Sequence, residues 1–214
     1  MTVPGRQASR RRRDVAMAGH ATGARCEAGA TTARQALTDT EPAVRATALG
    51  ALDRLAALRL EDLAVAAGDP SPLVRGRAAE LSPRFGPGAL ALLTGGLDDP
   101  KPEVVEASCF GLGEVGDAAA PAVDALAGVA RGHGDPLCRE AAVAALGAIG
   151  PTGAPGGVAA VLSAMADKPA VRRRAVLALA AFDGPEVEAA LEAALTDRDW
   201  QVRQAAEDLT DRRR

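Results

Sequence analysis

The sequence predicts an all-α fold, a right-handed α-α superhelix of about six to seven two-helix repeats. Three observations carry this. The pattern Asp-x-x-Pro-x-Val-Arg-x-x-Ala returns about every thirty residues, with its Val position filled by Val44, Val74, Val104, Cys138, Val171 and Val202 at steps of 30, 30, 34, 33 and 31. A fixed period in this range marks a stacked array rather than a domain with a single core. The position four residues further on is small throughout (Ala48, Ala78, Ser108, Ala142, Ala175, Ala206), as close helix packing requires, and the eleventh is large and apolar in Leu55, Phe85, Val115, Ile149 and Phe182.

The elements follow in order. Arg10-Arg-Arg-Arg-Asp-Val aligns with Val171-Arg-Arg-Arg-Ala-Val, and the step from Arg10 to Val44 is 34. Residues 6–21 are therefore predicted to form the first helix of a degenerate cap repeat, whose Val position holds Arg10. A polar outer face is what a terminal repeat needs. The Gly- and Ala-rich residues 22–30 are read as a linker. Each later repeat reads as a helix A and a helix B. In the repeat opened by Asp135-Pro136, helix A carries Ala142, Val143, Leu146 and Ile149 on one face. Pro is tolerated in its first turn, and Gly150-Pro151 stops it. Helix B carries Val158, Val161, Leu162 and Met165. The Gly-rich B helices of the third and fifth repeats are expected to be soft. Residues 1–214 are expected to form one domain: a cap repeat at 1–30, central repeats at 31–196, and a C-terminal half-repeat cap at 197–214.

These repeats resemble the HEAT repeat, in the short bacterial variety named after phycobilisome lyases. The resemblance covers about residues 31–210 and more weakly the first thirty. It implies the solenoid fold and says little about function, because similar arrays serve as bilin lyase subunits, regulatory scaffolds and modules appended to enzymes. It also implies a structural ladder, with Asp at each inter-repeat turn and Arg bridging neighbouring repeats. The matching residues are Asp39, Arg45, Asp69, Arg75, Asp135, Arg139, Asp167, Arg172, Asp197 and Arg203, and Asp99 shares the Asp position. Val105 interrupts the Arg row. The alternative reading of that row is a line of cations for phosphates.

Composition narrows the function. With 25 Lys and Arg against 28 Asp and Glu, the net charge is −3, whereas a dedicated nucleic-acid binder is more often basic. One Trp, three Phe and no Tyr leave few aromatic anchors for a ligand pocket. Cys26, Cys109 and Cys138 show no metal-binding spacing, and their odd number suits a reducing cytoplasm. Arg10 to Arg13 before Val15-Ala-Met-Ala-Gly resemble a leader only weakly, since His20 interrupts a short apolar run. No apolar stretch predicts a membrane span.

No catalytic constellation emerges. His20 and His133 have no Glu neighbour, so the His-Glu pairs of iron-binding HEAT hydroxylases are absent, and His133 reads as a turn residue. A base-excising site would need aromatic company and a basic groove beside Trp200 and Asp197 or Asp199, and neither is evident. No catalytic residue, cofactor or metal ligand is expected. Helix B lines the concave face of similar arrays. Here it offers Arg59, Glu61, Asp62, Asp124, Arg131, Glu186, Glu188 and Glu192, an acidic balance that suits a basic protein segment and repels phosphate.

The expected function is therefore a non-catalytic cytoplasmic scaffold or adaptor, a monomer that binds a protein partner through Asp124, Arg131, Glu186, Glu188 and Glu192. A nucleic-acid partner is disfavoured and a membrane is not expected. The alternatives are a nucleic-acid-associated accessory protein using the Arg-rich helix A and terminal surfaces, or a non-catalytic subunit of a lyase-like enzyme complex.

Overall fold

A computed structural model describes residues 4–20, 26–151 and 155–213. Among them the regular structure is helical, with no strand. The helices are α1 (Pro4–Ala18), α2 (Cys26–Gln35), α3 (Pro42–Arg54), α4 (Leu60–Ala67), α5 (Pro72–Leu81), α6 (Leu90–Gly95), α7 (Pro102–Val115), α8 (Val123–Gly132), α9 (Pro136–Ile149), α10 (Pro155–Ala164), α11 (Pro169–Ala178), α12 (Pro185–Ala194) and α13 (Trp200–Arg213). Odd-numbered helices are the A helices and even-numbered ones the B helices.

Local chemistry sets these boundaries. Pro42, Pro72, Pro102, Pro136 and Pro169 stand in the first turns of α3, α5, α7, α9 and α11, where a missing N–H costs nothing. Gly86, Gly116 and Gly150 follow the large apolar position with φ of 52°, 70° and 73°, a region costly for residues carrying a Cβ. In the second repeat the same turn is made by Ala56, with φ 53°.

The chain divides into two compact units, one ending at Phe85 and one beginning at Gly86. In the first, α1 packs on α3 and α3 on α5, while α4 lies against α5. In the second, α7, α9, α11 and α13 pack in succession, α8 and α10 lie against α9, and α12 lies against α13. The core of each unit comes from the repeating positions. Val44, Val74, Val104, Cys138, Val171 and Val202 are buried, and so are all six small residues four positions on. Gly147 lets α9 approach α11 so closely that a Cβ there would lie 2.7 Å from that of Ala178.

Two expectations are corrected. Residues 26–30 are not linker: α2 begins at Cys26, with Glu27 in its first turn and Gly29 and Ala33 buried, so a helix crosses the expected boundary at residue 30. Acid near a helix start and a buried small-residue face outweigh the loop signal of one Gly. The part of that linker before Cys26 lies outside the described residues. Helix α10 ends at Ala164, which leaves Met165 in the following turn.

Candidate functional site

The arginine row is the most regular polar feature. Arg45 sits on α3 and sends Nε and Nη2 to the two carboxylate oxygens of Asp69, at 2.7 and 2.6 Å. Its Nη1 donates backwards to the carbonyl of Asp39 at 2.8 Å. Arg139 does the same with Asp167 (2.6 and 2.8 Å) and the His133 carbonyl (2.8 Å). Arg172 repeats it with Asp197 (2.8 and 2.7 Å) and the Asp167 carbonyl (2.7 Å). Each guanidinium thus ties the turn that opens its own repeat to the turn that opens the next. The paired geometry is bidentate and charge-assisted.

Most of these groups are withdrawn from solvent, with side-chain exposures of 5% for Arg172 and 15% for Asp197. The Arg139 guanidinium and the Lys168 N–H hold the Asp167 carboxyl below its ordinary value against the opposing effect of burial. Asp197 is lowered chiefly by Arg172. Burial pushes Asp69 upward, but hydrogen bonds from Arg45 and the Ser71 N–H outweigh it and leave it lowered. Asp39 is likewise lowered overall: burial opposes, and the Glu41 N–H and Arg11 prevail.

The Asp residues mostly stand ahead of the helices rather than on the cap position itself. Asp39, Asp69, Asp99 and Asp197 accept the N–H two residues on, from Glu41, Ser71, Lys101 and Asp199, a side-chain-stabilised turn. Asp135 differs: it is the N-cap of α9, accepts from the Leu137 N–H at 2.9 Å, and has no arginine paired to it among the described residues. His133 occupies the Asp position instead, with Nδ1 accepting the Asp135 N–H at 3.1 Å. The repeat before it is the one in which Val105, fully buried, replaces arginine. Both partners of one rung are therefore absent together. Arg75 donates to the Asp69 carbonyl at 2.9 Å, and Arg203, in the last repeat, to the Asp197 carbonyl at 2.7 Å.

Sequence reasoning missed one rung. Arg11 of α1 binds Asp39 through Nε (2.8 Å) and Nη2 (3.2 Å), and the alignment of Arg10 with Val44 already placed it in the arginine position. A second missed pair lies on the B helices, where Arg34 of α2 binds Asp62 of α4 at 2.7 and 2.9 Å and the Ala57 carbonyl at 2.6 Å. Asp62 is therefore engaged rather than free. No periodic signal marks Arg34.

The five expected partner-binding residues are all exposed. Asp124 and Arg131 ride on α8, seven residues apart on one face, and the Asp124 carboxylate lies against Gly156 of α10. Glu186, Glu188 and Glu192 ride on α12. The structure does not gather the five into one cluster, and among the described residues no ion pair joins the two groups.

Exposed apolar side chains lie elsewhere. Among the described residues the large apolar side chains of Met17, Leu73, Phe110, Leu137, Leu177 and Trp200 are exposed on A helices, against that of Val65 on a B helix. Trp200 opens α13, is 64% exposed and shares a shallow groove with Leu177. Asp197 is held by Arg172 and the Asp199 carboxylate by the Gln201 N–H, so no carboxylate-and-aromatic cradle forms there. Cys109 and Cys138 are buried, and burial pushes their thiols up to about 12 and about 11. No cluster of potential metal ligands occurs among the described residues. No helix among them is long and apolar enough to cross a membrane.

Comparison with known proteins agrees with this architecture. The YibA protein of Escherichia coli superposes with a TM-score of 0.66 at 14% identity, covering 93% of this chain and 73% of that one. The complex of CpcE and CpcF of phycocyanin lyase from Nostoc sp. PCC7120 gives a TM-score of 0.58 at 24% identity, covering 83% of this chain and 74% of that one. At such identities the likeness is one of fold. A search of curated protein sequences finds no match. The family model for HEAT repeats matches residues 60–147, 90–169 and 123–209, well over half of the chain, and the protein belongs to the HEAT-repeat family.

Proposed function

We propose that this protein is a non-catalytic, cytoplasmic scaffold that binds a basic segment of a partner protein along the helix-B face of its C-terminal unit. The observation that carries this reading is the set of exposed carboxylates on α12, Glu186, Glu188 and Glu192, none of which has an ion-pair partner among the described residues. We also infer that residues 1–214 act as one repeat domain, because the family match at 60–147 continues across residues 85 and 86, and that the protein is a monomer.

A row of arginines reading phosphates is less well supported. Arg45, Arg139 and Arg172 are already satisfied by carboxylates, and a competing phosphate would have to displace bidentate pairs. A non-catalytic subunit of a lyase-like complex remains a form of the scaffold reading, suggested by the fold shared with CpcE and CpcF.

The test is a pull-down from nuclease-treated native lysate, washed at low and high salt, with wild type and a Glu188→Lys/Glu192→Lys variant. A discrete protein retained by wild type and lost by the variant, with helicity unchanged, is the expected result. Equal retention by both would remove α12 from the interface. Recovery of nucleic acid alone, without nuclease and at low salt, would favour the arginine surfaces.

A further inference from the structure

The N-terminal unit carries a second surface of opposite character. Between α1, α3 and α5, on the helix-A side, runs a groove of about 610 Å³ lined by Arg12, His20, Arg54 and Arg77 above a floor of Ala16, Ala43, Ala46, Thr47 and Gly50, with Leu73 at one edge. No carboxylate is found among the described residues that line it. Arg12 and Arg54 are exposed and have no carboxylate partner among the described residues. Arg77 pairs with Glu80 of its own helix, at 2.8 Å.

The guanidiniums lie over glycines. A Cβ at Gly19 would stand 2.7 Å from Nη2 of Arg54, and one at Gly50 would stand 2.8 Å from Nη2 of Arg77. The absence of side chains there leaves room for the Arg54 and Arg77 guanidiniums along the groove. The ladder cannot explain Arg12 and Arg54, since its position in these repeats is filled by Arg11 and Arg45.

We infer that this groove docks an acidic amphipathic helix of a partner protein. The guanidiniums of Arg12 and Arg54, each able to hold a carboxylate by two hydrogen bonds, supply the charge complementarity. The floor of Ala and Gly admits close approach of a helical backbone, and Leu73, 54% exposed, offers an apolar contact of the kind a helix-in-groove complex uses. Single-stranded nucleic acid fits less well, because none of the described residues lining the groove is an aromatic for base stacking.

The experiment is fluorescence anisotropy of a labelled helical peptide of Glu, Ala and Leu with the full chain, and with a single-stranded DNA oligonucleotide as competitor. Arg12→Glu/Arg54→Glu should weaken peptide binding roughly tenfold or more, as charge reversal at a complementary surface does, with an unchanged urea midpoint. If that variant fails to fold, Arg12→Glu alone, at an exposed site, should still weaken binding about threefold. Glu188→Lys/Glu192→Lys should leave peptide binding unaltered, which separates this groove from the α12 surface. Failure of wild type to bind the peptide, or equal binding by the arginine variants, would overturn the inference. So would an oligonucleotide that displaces the peptide and depends on the same arginines, since it would assign the groove to phosphate.

Discussion

The two units obey one repeat rule and carry opposite charge. Residues 1–85 hold 13 Arg against 9 Asp and Glu, a net +4, whereas residues 86–214 hold 12 Lys and Arg against 19 acids, a net −7. Inside, they are alike: the Val position is buried in both, and the small position after it is fully buried in both. The repeat therefore constrains what faces the neighbouring helix and leaves the outward positions free to diverge. The near-neutral total of −3 conceals one unit of net positive and one of net negative charge.

The largest effect that would sharpen this comparison is in the rungs. Arg172 is 4% exposed, so Arg172→Ala strands the Asp197 carboxylate and should cost about 3 kcal/mol. The corresponding Arg11 side chain is 38% exposed, and Arg11→Ala should cost under about 1 kcal/mol. Urea unfolding of both variants measures the difference, and equal costs would break the comparison.

Next comes the close contact of α9 with α11 in the C-terminal unit. Gly147→Ala places a Cβ 2.7 Å from that of Ala178 and should cost about 2 kcal/mol through overpacking, visible as a lower thermal midpoint. A neutral outcome would mean that α9 and α11 can separate freely.

Smaller gains are expected where one repeat departs from the others. Ala56→Gly in the N-terminal unit relieves the positive φ that other repeats give to Gly and should stabilise by about 1 kcal/mol. Ser108→Ala in the C-terminal unit removes a buried hydroxyl that has no hydrogen-bond partner among the described residues and should stabilise by a similar amount, about 1 kcal/mol. Calorimetry of each variant checks the sign.

The acid limb of stability is the subtlest test. Asp69, Asp167 and Asp197 are lowered below the ordinary value of 3.8. A carboxyl that is more acidic when folded stabilises fully above its unfolded pKa and loses that contribution as pH falls through the folded value. Stability should therefore decline as pH drops below about 4, less steeply in Arg172→Ala than in wild type. An identical acid limb in the two proteins would show that the Asp197 rung contributes nothing to it.

The sequence by itself determined the all-α repeat fold, the helix starts at Pro and the turns at Gly86, Gly116 and Gly150. These follow from backbone chemistry and from a period that repeats its own evidence six times. It also held the clue to Arg11, in the alignment that puts Arg10 opposite Val44. Only tertiary structure decided which arginine meets which aspartate, because each rung joins residues 24 to 28 apart across a helix-to-helix contact. It likewise decided that Asp135 caps a helix while His133 takes the Asp position, and that residues 26–30 are helical. The groove of Arg12, Arg54 and Arg77 was hidden for the same reason. Its arginines come from three helices at unrelated repeat positions, and packing alone brings them to one surface.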